Sequence, residues 1–148
     1  MNITSVLTED QMIMNLEKNN QVDVIQSMTD LLVKKNIVTD EKVFFDSVME
    51  RELDSSSVIG YGIAIPHGKS DAVKEPAIIY AKLAQPVEWQ SLDEKPVEVV
   101  IMLAIPEAHQ GDTHLKLLSE IAIKLMDDEL VHELKQEDVP ANIIKLFN

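Results

Sequence analysis

The chain of 148 residues has no cysteine and half as many basic as acidic side chains. The absence of cysteine excludes disulfides, thiolate nucleophiles and thiolate-ligated metal sites, and it is compatible with a reducing compartment. No apolar run approaches the roughly 20 residues that a membrane-spanning helix requires. The first residues also lack the basic and apolar regions of a signal peptide. These absences predict a soluble, cytoplasmic protein.

The shortage of basic residues gives the chain a strongly acidic balance. Its 13 Lys and Arg residues stand against 26 Asp and Glu, for a formal net charge of −13. Proteins bind nucleic acids largely through Lys and Arg that neutralise phosphates, so the composition argues against nucleic acid and anionic lipid as partners. The excess of carboxylates favours solubility first, and steering towards a basic partner second.

Several segments of the chain have the character of strands. Short strands are predicted over 12–16 and in the extended segment that ends at His67. A further strand is predicted over 77–83. It is expected to stop before Pro86, because proline lacks the amide hydrogen that would continue the ladder. Residues 97–105 are almost unbroken apolar sequence, which predicts a central strand covered on both faces.

Helices are predicted where apolar residues recur at intervals of three and four behind capping residues. The order of strand, two helices, several strands and further helices predicts an α/β fold, a three-layer α/β/α sandwich with a mixed β-sheet flanked by helices. With 45% hydrophobic residues, the chain is expected to form a single domain over 1–148. Five helices are predicted. The first follows Asn20, and the second runs from a capping hydroxyl at Thr39 to about Glu52. The third begins at Asp112 or Thr113, the fourth begins near Asp127, and the fifth runs from Pro140 to Leu146.

His67 is the first candidate functional residue. An apolar run ends on Pro66 and delivers the histidine to the next position, followed by Gly68. A histidine at a strand end is usually a surface or half-buried side chain. Here the proline fixes the backbone and the glycine lets another group approach closely, which favours a reactive side chain. An imidazole that is neutral near pH 7 can accept a phosphoryl group on a ring nitrogen.

His114 is the second candidate, because it lies in the first turn of a predicted helix. Free backbone amides and the positive end of the helix dipole stabilise anions there and bias an imidazole towards neutrality. The alternative is that His114 only caps its own helix. The remaining histidines, His109 in a polar loop and His132 on a late amphipathic helix, are interpreted as surface residues.

Arg51 is the third candidate, near the end of the second predicted helix and before the serine-rich loop that leads to His67. A guanidinium can hold two phosphate oxygens at once, which suits a phosphorylated imidazole. The alternative is a surface salt bridge with a flanking glutamate. Gly60 and Gly62 lack the rest of a nucleotide-binding loop and indicate a bulge or a sharp bend.

Three motifs stand out when the chain is taken as a whole: Arg51-Glu52 with the serine-rich segment, Ile59-Gly60-Tyr61-Gly62-Ile63-Ala64-Ile65-Pro66-His67-Gly68, and His114-Leu115 at the start of a helix. Through them the chain resembles the EIIA component of the bacterial phosphoenolpyruvate-dependent sugar phosphotransferase system, of the fructose/mannitol type. Two further segments are similar to the fructose branch in particular, Lys69-Ser70-Asp71-Ala72-Val73 and Ser91-Leu92-Asp93 with Lys95-Pro96-Val97.

This resemblance implies a phosphoryl carrier. His67 would receive a phosphoryl group from the phosphocarrier protein HPr and pass it to an EIIB component, which hands it to a sugar during transport through a membrane EIIC component. His114 and Arg51 match the family's supporting histidine and arginine, and no metal, nucleotide or other cofactor is implied. In-line transfer needs positioning and neutralisation of charge more than acid–base chemistry.

Two other functions remain open from the sequence. The first is a regulatory binding module of the same fold, whose phosphorylation state controls a partner. The second is a metal-dependent hydrolase that uses His67 and His114, although a convincing third ligand is missing.

The sequence departs from the family at Ser57-Val58, where threonine and glycine are common. The hydroxyl is kept, but a backbone position that glycine could hold at positive φ is now β-branched. This departure affects the expected conformation of the loop and leaves the histidine chemistry intact.

Overall fold

The structure, a computed structural model, describes residues 2–54, 56–89, 95–108 and 113–148, and only the backbone of residues 113 and 114. A 3₁₀ turn over Glu9–Gln11 joins the first helix to the first strand. The strands are β1 (Met12–Leu16), β2 (Val58–Gly60), β3 (Ile63–Ala64), β4 (His67–Ser70), β5 (Ala77–Val87) and β6 (Val97–Pro106). The helices are α1 (Ile3–Val6), α2 (Gln21–Lys34), α3 (Glu41–Asp54), α4 (Thr113–Lys124), α5 (Asp128–Gln136) and α6 (Pro140–Leu146).

The described strands form one mixed sheet in the order β1-β5-β6-β3-β2, with β4 also paired to β6. The β5–β6 and β2–β3 pairs are antiparallel, whereas β1 runs parallel to β5, and β3 and β4 run parallel to β6. Tyr61 and Gly62, with φ of 58° and 79°, make the tight turn between β2 and β3. The glycine-rich stretch therefore forms the sharp bend that the sequence predicts.

Helices cover both faces of this sheet, and the two long strands alternate between them. Ile79 of β5 and Val100 of β6 belong to a core shared with α2 and α3. Ile78 and Ile101 belong to a second core shared with α1, α4, α5 and α6. The predicted three-layer architecture and the buried central strand at β6 are both confirmed, and alternation into two cores explains why β6 is apolar at nearly every position.

The extended segment that contains His67 continues further than the sequence suggested. His67 begins β4 instead of ending a strand, and β4 pairs with β6 in the same register that β3 uses. Pro66 has no amide hydrogen, but its carbonyl accepts a hydrogen bond from the Leu103 amide at 3.0 Å. The prediction that the segment ends at His67 is therefore wrong, because the proline's acceptor side keeps the ladder intact.

The prediction that β5 stops before Pro86 is also wrong, since the strand runs on to Val87. Its pairing with β6 shifts register between Lys82 and Val87. Pro86 lies in this irregular part of the ladder, and irregular parts tolerate a missing amide hydrogen.

The cap of α3 also differs from the prediction. The Thr39 hydroxyl donates to the Ala72 carbonyl at 3.2 Å and so ties the helix entry to the segment after β4. The Asp40 carboxylate instead accepts from the Val43 amide at 3.2 Å and caps the helix. A carboxylate one residue later satisfies the same free amides as a hydroxyl would.

Three other predicted helix starts are confirmed, whereas α1 was not predicted. Asn20 caps α2, Asp127 caps α5, and Pro140 is in the first turn of α6. The predicted cap of α4 at Asp112 or Thr113 lies outside what the structure describes. Within the described ranges, no helix combines the length and the apolar content needed to cross a bilayer.

Candidate functional site

The site begins with a close approach between α3 and β4. A Cβ atom built on Gly68 would lie 2.6 Å from the Ser47 hydroxyl, 2.8 Å from a Val48 methyl and 2.9 Å from the Phe44 ring. Only glycine leaves room for the helix at this distance. The contact sets the end of α3, with its arginine, next to the first residue of β4.

The imidazole of His67 is contacted at both ring nitrogens. Its Nδ1 lies 3.2 Å from the Ile65 carbonyl oxygen. A carbonyl oxygen only accepts hydrogen bonds, so this contact assigns the ring proton of the neutral imidazole to Nδ1. The unprotonated Nε2 then faces Arg51, whose Nη1 lies 3.4 Å away.

Arg51 stands between two hollows in the surface. A cavity of about 90 Å³ lies on the side of Arg51 that is next to His67. A wider depression of about 610 Å³ lies on the other side of the arginine. Arg51 is exposed and, among the described residues, forms no ion pair with either flanking glutamate. The cavity is lined by Arg51, Glu52, Asp54, Ser56, Ser57 and His67. The depression is lined by Ser47, Glu50, Arg51, Leu53, Asp54 and Lys69.

Glu52 is a buried carboxyl group in the wall of the cavity, and the sequence analysis did not single it out. It is 5% exposed, and its Oε2 accepts from the Gln21 amide at 2.8 Å and from the Trp89 indole at 3.2 Å. Burial raises the pKa of the Glu52 carboxyl, and the hydrogen-bonding groups around it offset part of that rise. Its spacing of four and eight residues from Val48 and Phe44, on the buried face of α3, is the signal that could have found it.

The loop that departs from the family pattern is well accommodated. Val58 lies in β2, and it is not among the described residues with positive φ. The Ser56 hydroxyl accepts from the Val58 amide at 3.1 Å. The Ser57 carbonyl accepts from the Ile65 amide at 2.9 Å. The β-branched residue therefore occupies an extended position that suits it.

The other histidines fall in three different situations. His114 is in the first turn of α4, as predicted, but its side chain lies outside what the structure describes, so its place beside His67 stays a prediction. His109 also lies outside the described residues. His132 is exposed on α5, as expected for a surface residue. Among the described side chains, no three His, Asp or Glu residues are grouped so as to hold a metal ion.

The family described as "Phosphoenolpyruvate-dependent sugar phosphotransferase system, EIIA 2" matches residues 5–148. The chain belongs to this type-2 EIIA family. The resemblance seen in the sequence is thus confirmed at the level of the family.

Curated relatives of this type-2 EIIA chain have different names. The fructose-specific EIIABC component of Bacillus subtilis is 34% identical over the whole chain, which spans only 23% of that protein's length. The fructose-specific EIIA component of Haloferax volcanii is 31% identical and covers 82% of each chain. The nitrogen regulatory protein of Bradyrhizobium diazoefficiens is also 31% identical, covering 91% of this chain and 87% of its own.

Solved structures of two such proteins share the fold. Nitrogen regulatory protein IIA-Ntr from Neisseria meningitidis superposes with a TM-score of 0.91 at 24% identity and covers 99% of both chains. The mannitol EIIA of Escherichia coli, solved in complex with phosphorylated mannitol EIIB, superposes with a TM-score of 0.82 at 16% identity, covering 96% of this chain and 98% of that one. Both establish the α/β sandwich of this chain.

Proposed function

We propose that this EIIA chain is a phosphotransferase that carries a phosphoryl group on Nε2 of His67 and passes it to an EIIB protein. The observation that carries the proposal is the held imidazole, with Nδ1 at the Ile65 carbonyl and Nε2 facing the Arg51 guanidinium. This arrangement presents a lone pair and an adjacent positive charge at the same point, which is what an incoming phosphoryl group requires.

The transfer needs no proton movement at His67. The Nε2 lone pair attacks phosphorus while the bond between phosphorus and the donor breaks, and the donor atom keeps the electron pair. Arg51 hydrogen-bonds the equatorial oxygens and stabilises their charge. The Ile65 carbonyl stabilises the positive charge that the ring takes on, because it accepts the Nδ1 proton. His114, if it joins from the start of α4, supplies a further donor to the phosphoryl group.

HPr is the proposed donor, and EIIB, working with a membrane EIIC, is the proposed acceptor. The complex of mannitol EIIA with phosphorylated EIIB supports the acceptor, and the EIIABC relatives support the same route. We place the protein in the cytoplasm, as one domain over 1–148, and in the fructose/mannitol class of sugar uptake. The fructose-specific names among the relatives support that class.

A regulatory module controlled by phosphorylation of His67 is the second candidate. It is favoured by the nitrogen regulatory relative, which at 31% identity covers most of both chains. Both functions use the phosphohistidine. In the first the phosphoryl group passes to an EIIB protein, and in the second the phosphorylation state controls a partner. Transfer from the phosphorylated chain to a candidate EIIB, together with the identity of the neighbouring genes, distinguishes a transport component from a regulator.

Phosphorylation in a reconstituted system tests the proposal. The chain is mixed with phosphoenolpyruvate, enzyme I and HPr, and incorporation of phosphate is counted by mass spectrometry at neutral pH. We expect one acid-labile phosphoryl group per chain, none on His67→Ala, and a phosphoryl-nitrogen bond at Nε2 in the NMR spectrum of ¹⁵N-histidine-labelled protein.

The matched control is His132→Ala, which removes an exposed histidine from α5 and should keep full labelling. Stoichiometric labelling of His67→Ala, or a wild-type chain that accepts no phosphate, would overturn the proposal. Circular dichroism of each variant verifies that a loss of labelling does not come from a loss of fold.

A further inference from the structure

Ser57 lines the cavity beside His67, and its buried hydroxyl has no hydrogen-bonding partner among the described residues. Among the described side chains, its Oγ and the Tyr80 hydroxyl are the two buried polar atoms without a hydrogen bond. Tyr80 lies in the apolar core against the edge of Phe147, away from the cavity. Ser57 is different, because it is one of the residues that line a cavity of about 90 Å³ together with His67 and Arg51. A buried polar group without a partner is costly, so this one calls for an explanation.

The backbone fixes Ser57 relative to the imidazole. Ile65 is bonded on both sides, because its amide donates to the Ser57 carbonyl at 2.9 Å and its carbonyl accepts from His67 Nδ1 at 3.2 Å. One residue thus holds both the loop that carries the hydroxyl and the imidazole ring. These bonds fix the backbone of Ser57 relative to His67.

The neighbouring carboxyl group leaves this hydroxyl available. Glu52 lies close enough to Ser57 for the hydroxyl to lower its pKa, yet the two groups do not reach hydrogen-bond geometry. Glu52 already accepts from Gln21 and Trp89 through Oε2. The hydroxyl can therefore turn towards the cavity without leaving the carboxylate unpaired.

We propose that the Ser57 hydroxyl donates a hydrogen bond to a phosphoryl oxygen on His67, across the cavity from the Arg51 guanidinium. This inference rests on the proposed function and adds a second ligand to it. A donor without a competing hydrogen bond stabilises charge as it develops on the oxygens, with no bond to break first. The cavity has about three times the roughly 30 Å³ that one water occupies in the liquid, so a phosphoryl group fits beside the hydroxyl.

A set of Ser57 variants in the reconstituted system tests this role. The rate of phosphorylation by phospho-HPr is measured for the wild type, Ser57→Ala, Ser57→Thr and Ser57→Val. Threonine and valine have nearly the same shape and differ in the hydroxyl. We expect alanine and valine to slow phosphorylation at least tenfold while one phosphoryl group per chain is still reached, and threonine to stay within about threefold of the wild type.

The control Ser27→Ala removes a hydroxyl that donates to the Asp23 carbonyl on the exposed side of α2, and it should leave the rate unchanged. Equal rates for threonine and valine at position 57 overturn the inference, as does a rate for Ser57→Ala within twofold of the wild type. Either result leaves the proposed function standing if His67 is labelled. A wild-type chain that takes no phosphate instead overturns the proposed function itself.

Discussion

Glu52 is the residue whose importance is easiest to miss. In the sequence it is an acidic neighbour of Arg51, suited to a surface salt bridge. In the fold it continues the buried face of α3 and receives the single tryptophan of the chain as a hydrogen-bond donor. Burial of a carboxyl group in this position changes its affinity for protons.

Replacing Glu52 with glutamine should change how stability depends on pH. Burial raises the pKa of Glu52 above its ordinary value of 4.5, so the folded chain binds this proton more tightly than the unfolded chain. The contribution of Glu52 to the free energy of unfolding is then fully present below pH 4.5, and it is lost as pH rises through the pKa that Glu52 has in the folded chain. Glu52→Gln has no titrating carboxyl group at this position, so it does not lose this stability. Its amide oxygen still accepts a hydrogen bond from the Trp89 indole. We expect the stability of the variant relative to the wild type to increase as pH rises.

Urea unfolding of both proteins at a series of pH values from 4 to 8 measures this difference. Glu50→Gln is the control, since it removes an exposed carboxylate from the same helix. Subtracting the free energy of unfolding of the wild type from that of the variant removes the pH dependence common to the rest of the chain. A difference that stays flat, or that shrinks as pH rises, would contradict a raised pKa at Glu52.

The residues of the candidate site that could be predicted from the sequence are those with a distinctive local setting. His67 stands out because of the flanking proline and glycine, and Arg51 because it precedes the loop that leads there. The structure places these two side chains 3.4 Å apart. The unpaired state of the Ser57 hydroxyl and the Trp89–Glu52 bond could not be predicted, because both depend on residues far apart in the chain that meet only in the folded state.

The packing of α3 on β4 is the contact between elements that builds the site. Gly68→Ala places a methyl group within 2.6 to 2.9 Å of three side chains on the helix. Overpacking of this kind costs about 1–3 kcal/mol and moves the backbone. We expect lower stability in urea unfolding and a slower phosphorylation of His67, because the displaced helix carries Arg51.

A double-mutant cycle attributes that loss to the proposed contact. The nearest clash of the added methyl is with the Ser47 hydroxyl, whose one hydrogen bond within the described part of the chain is to the Phe44 carbonyl of its own helix at 2.7 Å. Ser47→Ala in the Gly68→Ala background should therefore restore part of the stability, while Ser47→Ala alone has little effect. Purely additive effects, or an unchanged stability of Gly68→Ala, would show that the helix and strand do not meet as described.

The ends of the strands could not be predicted from the positions of prolines in the sequence. A proline does not end the pairing in either case: β5 runs past Pro86 to Val87, and after Pro66 the pairing with β6 resumes in the same register in β4. Pro86 lies where the ladder changes register, and Pro66 still offers its carbonyl to Leu103. Whether a missing amide hydrogen interrupts a strand depends on which side of the strand is paired, and that is a property of the sheet.

The whole molecule carries a net charge of −13. The ion pairs among the described residues are few and lie at the surface, joining Lys35 to Asp10, Lys42 to Asp46, Lys82 to Asp138 and Lys135 to Glu98. Such pairs contribute little each, so most of the carboxylates repel one another without compensation. This excess opposes the compact state, although it keeps the protein soluble and attracts a basic partner.

Adding NaCl should therefore stabilise the fold, because salt screens the repulsion between carboxylates more than it weakens the few surface pairs. We expect the melting temperature to rise between about 0.02 and 0.3 M salt, by about 3 °C if screening contributes about 1 kcal/mol. Glu17→Lys, at an exposed position after β1, raises the net charge by two and serves as the matched variant. It should melt higher than the wild type at low salt and gain less when salt is added. A melting temperature that falls with salt would show that attractive pairs outweigh the general repulsion in this chain.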